Sequence, residues 1–266
     1  MHCAAGVEVP NVKVLELLVE RGADVNSNDK DGMTPLHCAA GVEVPNMEVL
    51  KYLIECGAEI NVKGGYRNET PLYMIVSDKN PDMEMVKFLI EHGADVNAKV
   101  GYSNETPLHC AARRKNLDVE MVKLLIEHGA DVNTKAGYRG ETLLCMVVSD
   151  ENPDMEMVKF LIEHGADVDT KSGYRNETLL QKTVGCENPD TEMVKYLIEH
   201  GADVNAKSGY RNETPLHLAV KNPNVEVVKL LIEAGADIDV KNSDGKTPLD
   251  SAVKGSNIEI YLRSRK

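Results

Sequence analysis

The sequence predicts an all-α solenoid of stacked helix-loop-helix units with β-hairpin or turn connections. Three observations predict it. A Thr-led motif returns along the chain: Thr-Pro-Leu-His begins at Thr34, Thr106 and Thr214, with close variants at Thr70, Thr142, Thr178 and Thr247. The steps are 36 residues five times, then 33. Gly-Ala-Asp or Gly-Ala-Glu begins at Gly22, Gly57, Gly93, Gly129, Gly165, Gly201 and Gly235, in phase with the first signal. Between the two landmarks, apolar residues fall at helical spacing. Two phased signals of this period mark a repeat architecture.

The stretch from Thr106 to Glu141 is the clearest copy of the unit. Thr106 is an N-cap residue, and Pro107 suits the first helical position, where no N–H is needed. Leu108, Ala111 and Ala112 give the first helix a small apolar face, and Asn116 begins a loop. A second helix is expected from about Asp118 to Glu127, with Met121, Val122, Leu124, Leu125 and Ile126 as its apolar positions. Gly129 stands where a helix ends in a left-handed conformation. The polar, Gly-containing stretch from Ala130 to Glu141 suits a hairpin or extended turn. One such unit cannot bury its own apolar face, so it must stack on copies of itself.

These residues resemble the ankyrin repeat. Thr-Pro-Leu-His-x-Ala-Ala, then a second helix ending Leu-Leu-Ile-Glu-His-Gly-Ala-Asp-Val-Asn, is the family's pattern, and it recurs over essentially the whole chain. The resemblance implies a single domain over residues 1–266 with about eight repeats, the first partial and the last a C-terminal cap. It also implies a concave face, lined by hairpin tips and first helices, that grips other proteins. The period departs from the usual 33 in most units. Two extra residues fall in the loop between helices, at Asn80-Pro81 and its counterparts, and one falls in the hairpin. Asn80 is expected to cap, and Pro81 to open, the second helix. Asn80–Val96 and Asn152–Val168 are identical, so the array grew by copying pairs of units.

At the N-terminus, Met1-His2-Cys3-Ala4-Ala5 aligns with Leu36-His37-Cys38-Ala39-Ala40. Either a degenerate cap or the tail of a longer array fits that start. At the other end a shortened helix is expected over about Asn257–Leu262, with Ile260 and Leu262 packing inward and a cationic tail.

With no Trp and two Phe, the core is expected to be aliphatic residues, Met and Ala. A formal net charge of −13 argues against a general nucleic-acid binder, whose affinity comes mainly from Lys and Arg on phosphates, and against an anionic membrane. No stretch approaches about 18 apolar residues, and no secretory pattern opens the chain. A cytoplasmic monomer is expected. Cys3, Cys38 and Cys110 share one slot, and equivalent slots lie roughly 10 Å apart, too far for disulfides. Buried, reduced thiols are expected.

The histidines form two rows: His2, His37, His109 and His217, then His92, His128, His164 and His200. At that spacing a row cannot share one metal, whose ligands sit about 2 Å away. Backbone hydrogen bonds are expected for the first row and helix C-terminal positions for the second. No metal or cofactor site is expected. Four Asn-Glu-Thr triplets, beginning at Asn68, Asn104, Asn176 and Asn212, match a glycosylation sequon, but each Thr is also a helix cap. No nucleophile-base set or phosphate loop is present, so an enzyme is disfavoured.

The candidate partner-binding residues lie in the hairpin and first-helix-end rows, the slots that face a partner in the resembled family. They are Tyr66, Tyr102, Tyr138, Tyr174 and Tyr210 with Arg67, Arg139, Arg175 and Arg211, then Asp78 and Asp150 at first-helix ends. Between those two Asp positions stands the basic triplet Arg113, Arg114 and Lys115, read as the centre of the site. Tyr and Arg are the residue types that most often dominate binding energy. The structural alternative has Tyr packing on the next hairpin and Arg pairing with neighbouring Glu. The function expected is a non-catalytic protein-interaction scaffold. The second reading is a viral or intracellular-bacterial effector that captures a host protein in the host cytosol.

Overall fold

The computed structural model describes residues 1–6, 12–42, 45–113, 118–150 and 153–265. The described residues hold sixteen helices and no extended strand. The first helices are α1 (His2–Ala5), which follows Met1, and, each after a Thr landmark, α3 (Pro35–Ala40), α5 (Pro71–Ser77), α7 (Pro107–Ala112), α9 (Leu143–Val148), α11 (Leu179–Gly185), α13 (Pro215–Ala219) and α15 (Pro248–Ser251). Second helices alternate with them: α2 (Val12–Glu20), α4 (Met47–Glu55), α6 (Met83–Glu91), α8 (Val119–Glu127), α10 (Met155–Glu163), α12 (Thr191–Glu199), α14 (Val225–Glu233) and α16 (Asn257–Arg263).

The caps explain where these helices start. Thr34, Thr70, Thr142, Thr178 and Thr247 stand in extended conformation, and each hydroxyl accepts the backbone N–H three residues on. In the second helices, Asp82, Asp154 and Asp190 each accept two backbone N–H groups. Asn80 and Pro81 therefore do not cap or open α6 as the sequence suggested. Asn80 instead donates its N–H to Asp78 Oδ1 at 2.8 Å, which spends the inserted residues on a turn before Asp82. The 36-residue spacing arises where expected. α6 begins 13 residues after Thr70 and α14 begins 11 after Thr214.

α8 ends at a left-handed Gly129, φ 89°, with Ala130 N–H on the Leu125 carbonyl at 2.9 Å. The connection that follows most second helices is a tight hairpin with one antiparallel bridge, Gly64 to Glu69 for example. Gly65 (φ 70°) and Asn68 (φ 52°) take left-handed conformations on either side of Tyr66 and Arg67, which form the tip.

Two compact units make up the fold: Met1–Asp131 with Lys135–Tyr138, and Val132–Thr134 with Arg139–Lys266. In the first, α3 packs on α1, α4 and α5, and α7 on α5 and α8. In the second, α11 packs on α9, α12 and α13, while α13 packs on α14 and α15. Within each unit the core is a stack of leucines. First helices give Leu36, Leu72 and Leu108 in one unit and Leu144, Leu180 and Leu216 in the other. Second helices give Leu53, Leu89 and Leu125, then Leu161, Leu197 and Leu231. This is the aliphatic core expected of a chain without Trp.

Two details correct the sequence reading. In α16, Ile258 and Leu262 are buried but Ile260 points outward, because 258 and 262 share a face at helical spacing and 260 does not. Cys145 alone of the cysteines is buried; Cys3 and Cys186 are exposed, since the first lies on a single-turn helix and the second follows the end of α11.

The candidate interaction face on the hairpin tips

Among the described residues, the five tip tyrosines are the most exposed of the large hydrophobic side chains. Tyr66, Tyr102, Tyr138, Tyr174 and Tyr210 are 90, 92, 86, 75 and 84% accessible. Tyr174, the least exposed of them, lies beneath Arg139 of the preceding hairpin, 5.7 Å from guanidinium to ring centre. The exposure of the five comes from the tip itself: a six-residue turn from bridge to bridge sets Tyr66 and its counterparts at its outer end. Successive tips are joined through the backbone. Gly137 N–H donates to the Ser103 carbonyl at 2.8 Å, and Gly173 N–H to the Arg139 carbonyl at 2.8 Å. Gly209 N–H meets the Arg175 carbonyl at 2.9 Å, and Ser243 N–H the Arg211 carbonyl at 2.8 Å.

The arginines divide by unit. Arg67 is committed: its guanidinium lies 3.3 Å from Glu69, 3.2 Å from Glu105 and 3.2 Å from the Tyr73 hydroxyl, and it sits over the Tyr73 ring. Glu105 is 5% exposed and also accepts from the Tyr73 hydroxyl and from Arg113. Two cations thus offset this nearly buried carboxylate, which would be costly to bury alone. Burial, with the nearby Cys110 and Glu105 charges, pushes the Tyr73 phenol well above its ordinary range. In the second unit the arginines are held more loosely. Arg139 lies over the Tyr174 ring at 5.7 Å, Arg175 is 3.9 Å from Glu177, and Arg211 is 3.5 Å from Asp244.

Of the basic triplet, Arg114 and Lys115 lie outside the described residues, and Arg113 turns back to Glu105 within its own repeat. Asp78 caps α5 and holds Asn80, and Asp150 is an exposed residue just past α9. Within each unit the tips follow one another through the backbone bonds above, while Asp78 and Asp150 stand at the ends of α5 and α9.

The histidines act on the backbone. His37 Nε2 meets the Glu69 carbonyl at 3.0 Å, and His217 Nε2 the Lys246 carbonyl at 3.0 Å. His92, His128, His164 and His200 each place Nδ1 on a carbonyl one turn back, at 2.7 to 2.9 Å. Sequence reading missed a third device, an amide ladder. Asn97 Nδ2 donates to the Gly129 carbonyl at 2.9 Å, while its Oδ1 accepts the Asp131 N–H at 2.8 Å. Asn26, Asn61, Asn133 and Asn205 repeat the pattern. Its signal was available as the Asn that closes most Gly-Ala-Asp-Val-Asn motifs.

Stacked two-helix repeats with an exposed hairpin row define a repeat protein whose ordered surface is suited to contact with other macromolecules. The profile described as "Ankyrin repeats (3 copies)" matches residues 1–64, 42–136, 120–208 and 183–263, and the chain belongs to the ankyrin repeat family. Among solved structures, the chain is similar to the ankyrin repeat domain of Bcl-3, described as a unique member of the IkappaB protein family. The TM-score is 0.69 and the identity 28%, over 87% of this chain and 99% of that one. No curated protein matched the sequence. Ankyrin repeats generally mediate protein–protein interaction, and the fold is typically a non-catalytic module. Among the described residues, no helix is long and apolar enough to cross a membrane.

Proposed function

We propose that this chain is a non-catalytic protein-interaction scaffold that grips a partner protein on its hairpin tips and first-helix ends. The observation that carries this reading is the tyrosine row, 75 to 92% exposed and held in register by backbone hydrogen bonds between tips. An aromatic ring left in water gains most when a partner covers it, and Tyr does so at low entropic cost. The similarity to the ankyrin repeat domain of Bcl-3, described as a member of the IkappaB protein family, supports the same class of role.

The test is site-specific photo-crosslinking in the native cell. A benzophenone amino acid replaces Tyr66 or Tyr210, and separately Lys159 on α10. Discrete protein adducts from the two tip positions, absent from Lys159, are expected. Adducts of equal pattern from all three positions, or none from the tips, would sink the reading.

A further inference from the structure

We infer that the tip strip of the second unit receives an extended acidic segment of the partner, with an anionic side chain at about every third residue. This rests on the reading that the tips face a protein. Arg139, Arg175 and Arg211 occupy the same place in successive hairpins, and the backbone bonds from Gly173, Gly209 and Ser243 hold them in line. One repeat step is about 10 Å, a helix-packing distance. An extended chain rises about 3.3 Å per residue, so about three residues span one step.

These arginines keep donors to offer. Arg67 in the first unit is engaged by two carboxylates and a phenol, and Ser103 takes the arginine's place in the next tip. The difference has a local cause. The side chain that reaches toward the next hairpin is Tyr73 there, and it presents a hydroxyl and a buried Glu105 to Arg67. In the second unit the same slot holds Gln181 and His217, which bond to the backbone carbonyls of Glu213 and Lys246 and leave the guanidiniums aside. Glu213 is taken by Lys221 at 2.7 Å. Arg175 and Arg211 side chains are 67 and 66% exposed, each with one loose carboxylate neighbour. A guanidinium has five donors in a planar fork, enough to add a bidentate carboxylate.

A cavity of about 300 Å³ lies between these two tips, lined by Arg175, Gly209, Tyr210, Arg211 and Lys221 with Glu177 and Glu213. Charge placement favours the same occupant. The chain carries −13, yet Lys171, Arg175, Lys207 and Arg211 outnumber the acids of this strip. Other acids of this unit lie on or just before its second helices, as at Asp154, Glu156, Asp190 and Glu192. An acidic segment is thus attracted to the tips and repelled elsewhere. Tyr174 and Tyr210 beside the arginines offer apolar contact to the intervening residues. A polynucleotide, charged at every phosphate, would face the net negative charge of the whole chain, and a spaced carboxylate ladder suits the arginine spacing better.

The full-length chain is titrated by fluorescence anisotropy with labelled peptides of about twelve residues, enough for about four steps at three residues each. One peptide has Glu at every third position, separated by Ala-Pro; another has the same composition with its Glu residues in one block. A single-stranded RNA of matched length is the third probe. The spaced peptide is expected to bind about tenfold or more tightly than the block peptide. Arg175→Gln with Arg211→Gln should weaken it by about tenfold and flatten its salt dependence, while Arg67→Gln stays within about twofold. Thermal unfolding of each variant reports that the fold is kept. Equal binding of the two peptides, tighter binding of RNA, an equal loss with Arg67→Gln, or no binding of the spaced peptide would overturn the inference. A cross-linked partner segment at Tyr210 that is not acidic would overturn it too, while leaving the scaffold reading in place.

Discussion

In several repeats the side chain three positions after the capping Thr ties a helix start to the next hairpin, as at His37, Gln181 and His217. His37 does this with both ring nitrogens. Nδ1 accepts the Thr34 N–H at 3.1 Å, so the proton sits on Nε2, which donates to the Glu69 carbonyl at 3.0 Å. Protonation would put a hydrogen on Nδ1, facing another N–H. Burial lowers the His37 pKa, with the Glu69 and Val62 carbonyls acting against it. A depressed folded-state value means that the unfolded chain binds the proton first. Stability from this site is therefore fully present above the ordinary value of 6.5 and is lost as pH falls through the folded-state pKa. Gln181 makes equivalent bonds with a group that does not titrate, donating to Glu213 at 2.8 Å and accepting the Thr178 N–H at 2.9 Å. His37→Gln should thus keep the fold and remove part of the loss of stability below about pH 6.5. Urea melts of the two proteins across that range check it; parallel pH profiles would count against this account.

At the scale of the element, second helices are joined to one another by the turns that follow them. The Asn ladder satisfies a glycine carbonyl and an acidic residue's N–H in the next repeat, two bonds per amide. One rung is incomplete. Asp169 Oδ1 accepts the Asp203 N–H at 2.9 Å, but a carboxylate has no proton for the Gly201 carbonyl that an amide would reach. Asp169→Asn should add that bond and stabilise the chain by about 1 kcal/mol. The midpoint of denaturant unfolding reads it, and an unchanged or lower midpoint would show that the Gly201 carbonyl does not need the partner.

At the scale of the whole molecule, stability comes from contacts between neighbouring repeats and not from one central core. Leucines such as Leu161, Leu197 and Leu231 are fully buried among the helices of their own unit. Repeat arrays gain stability as a sum of nearest-neighbour terms, so damage should stay local. Leu197→Ala removes a fully buried side chain and should cost about 2–5 kcal/mol. Amide exchange should rise first in α11 to α14, with least change in α3 to α6; a uniform loss of protection along the chain would contradict this. Charge is also organised at this scale. The net −13 that argued against polyanionic partners is an average over acidic second helices and a tip strip richer in cations.

The sequence by itself determined the repeat, its helices and their spacing, because each depends on local rules. Thr caps, helical apolar spacing and glycines at left-handed positions act within a few residues, and the repetition confirms each reading several times. It also placed the tyrosines on hairpin tips. What it could not reveal was which side chains engage a neighbouring repeat. Arg67 and Arg175 occupy equivalent places in nearly identical hairpins, yet one is bound to Glu69, Glu105 and Tyr73 and the other only loosely to Glu177. Those outcomes depend on distances between groups far apart in the chain and on competition for a single partner, quantities that exist only once the repeats are stacked.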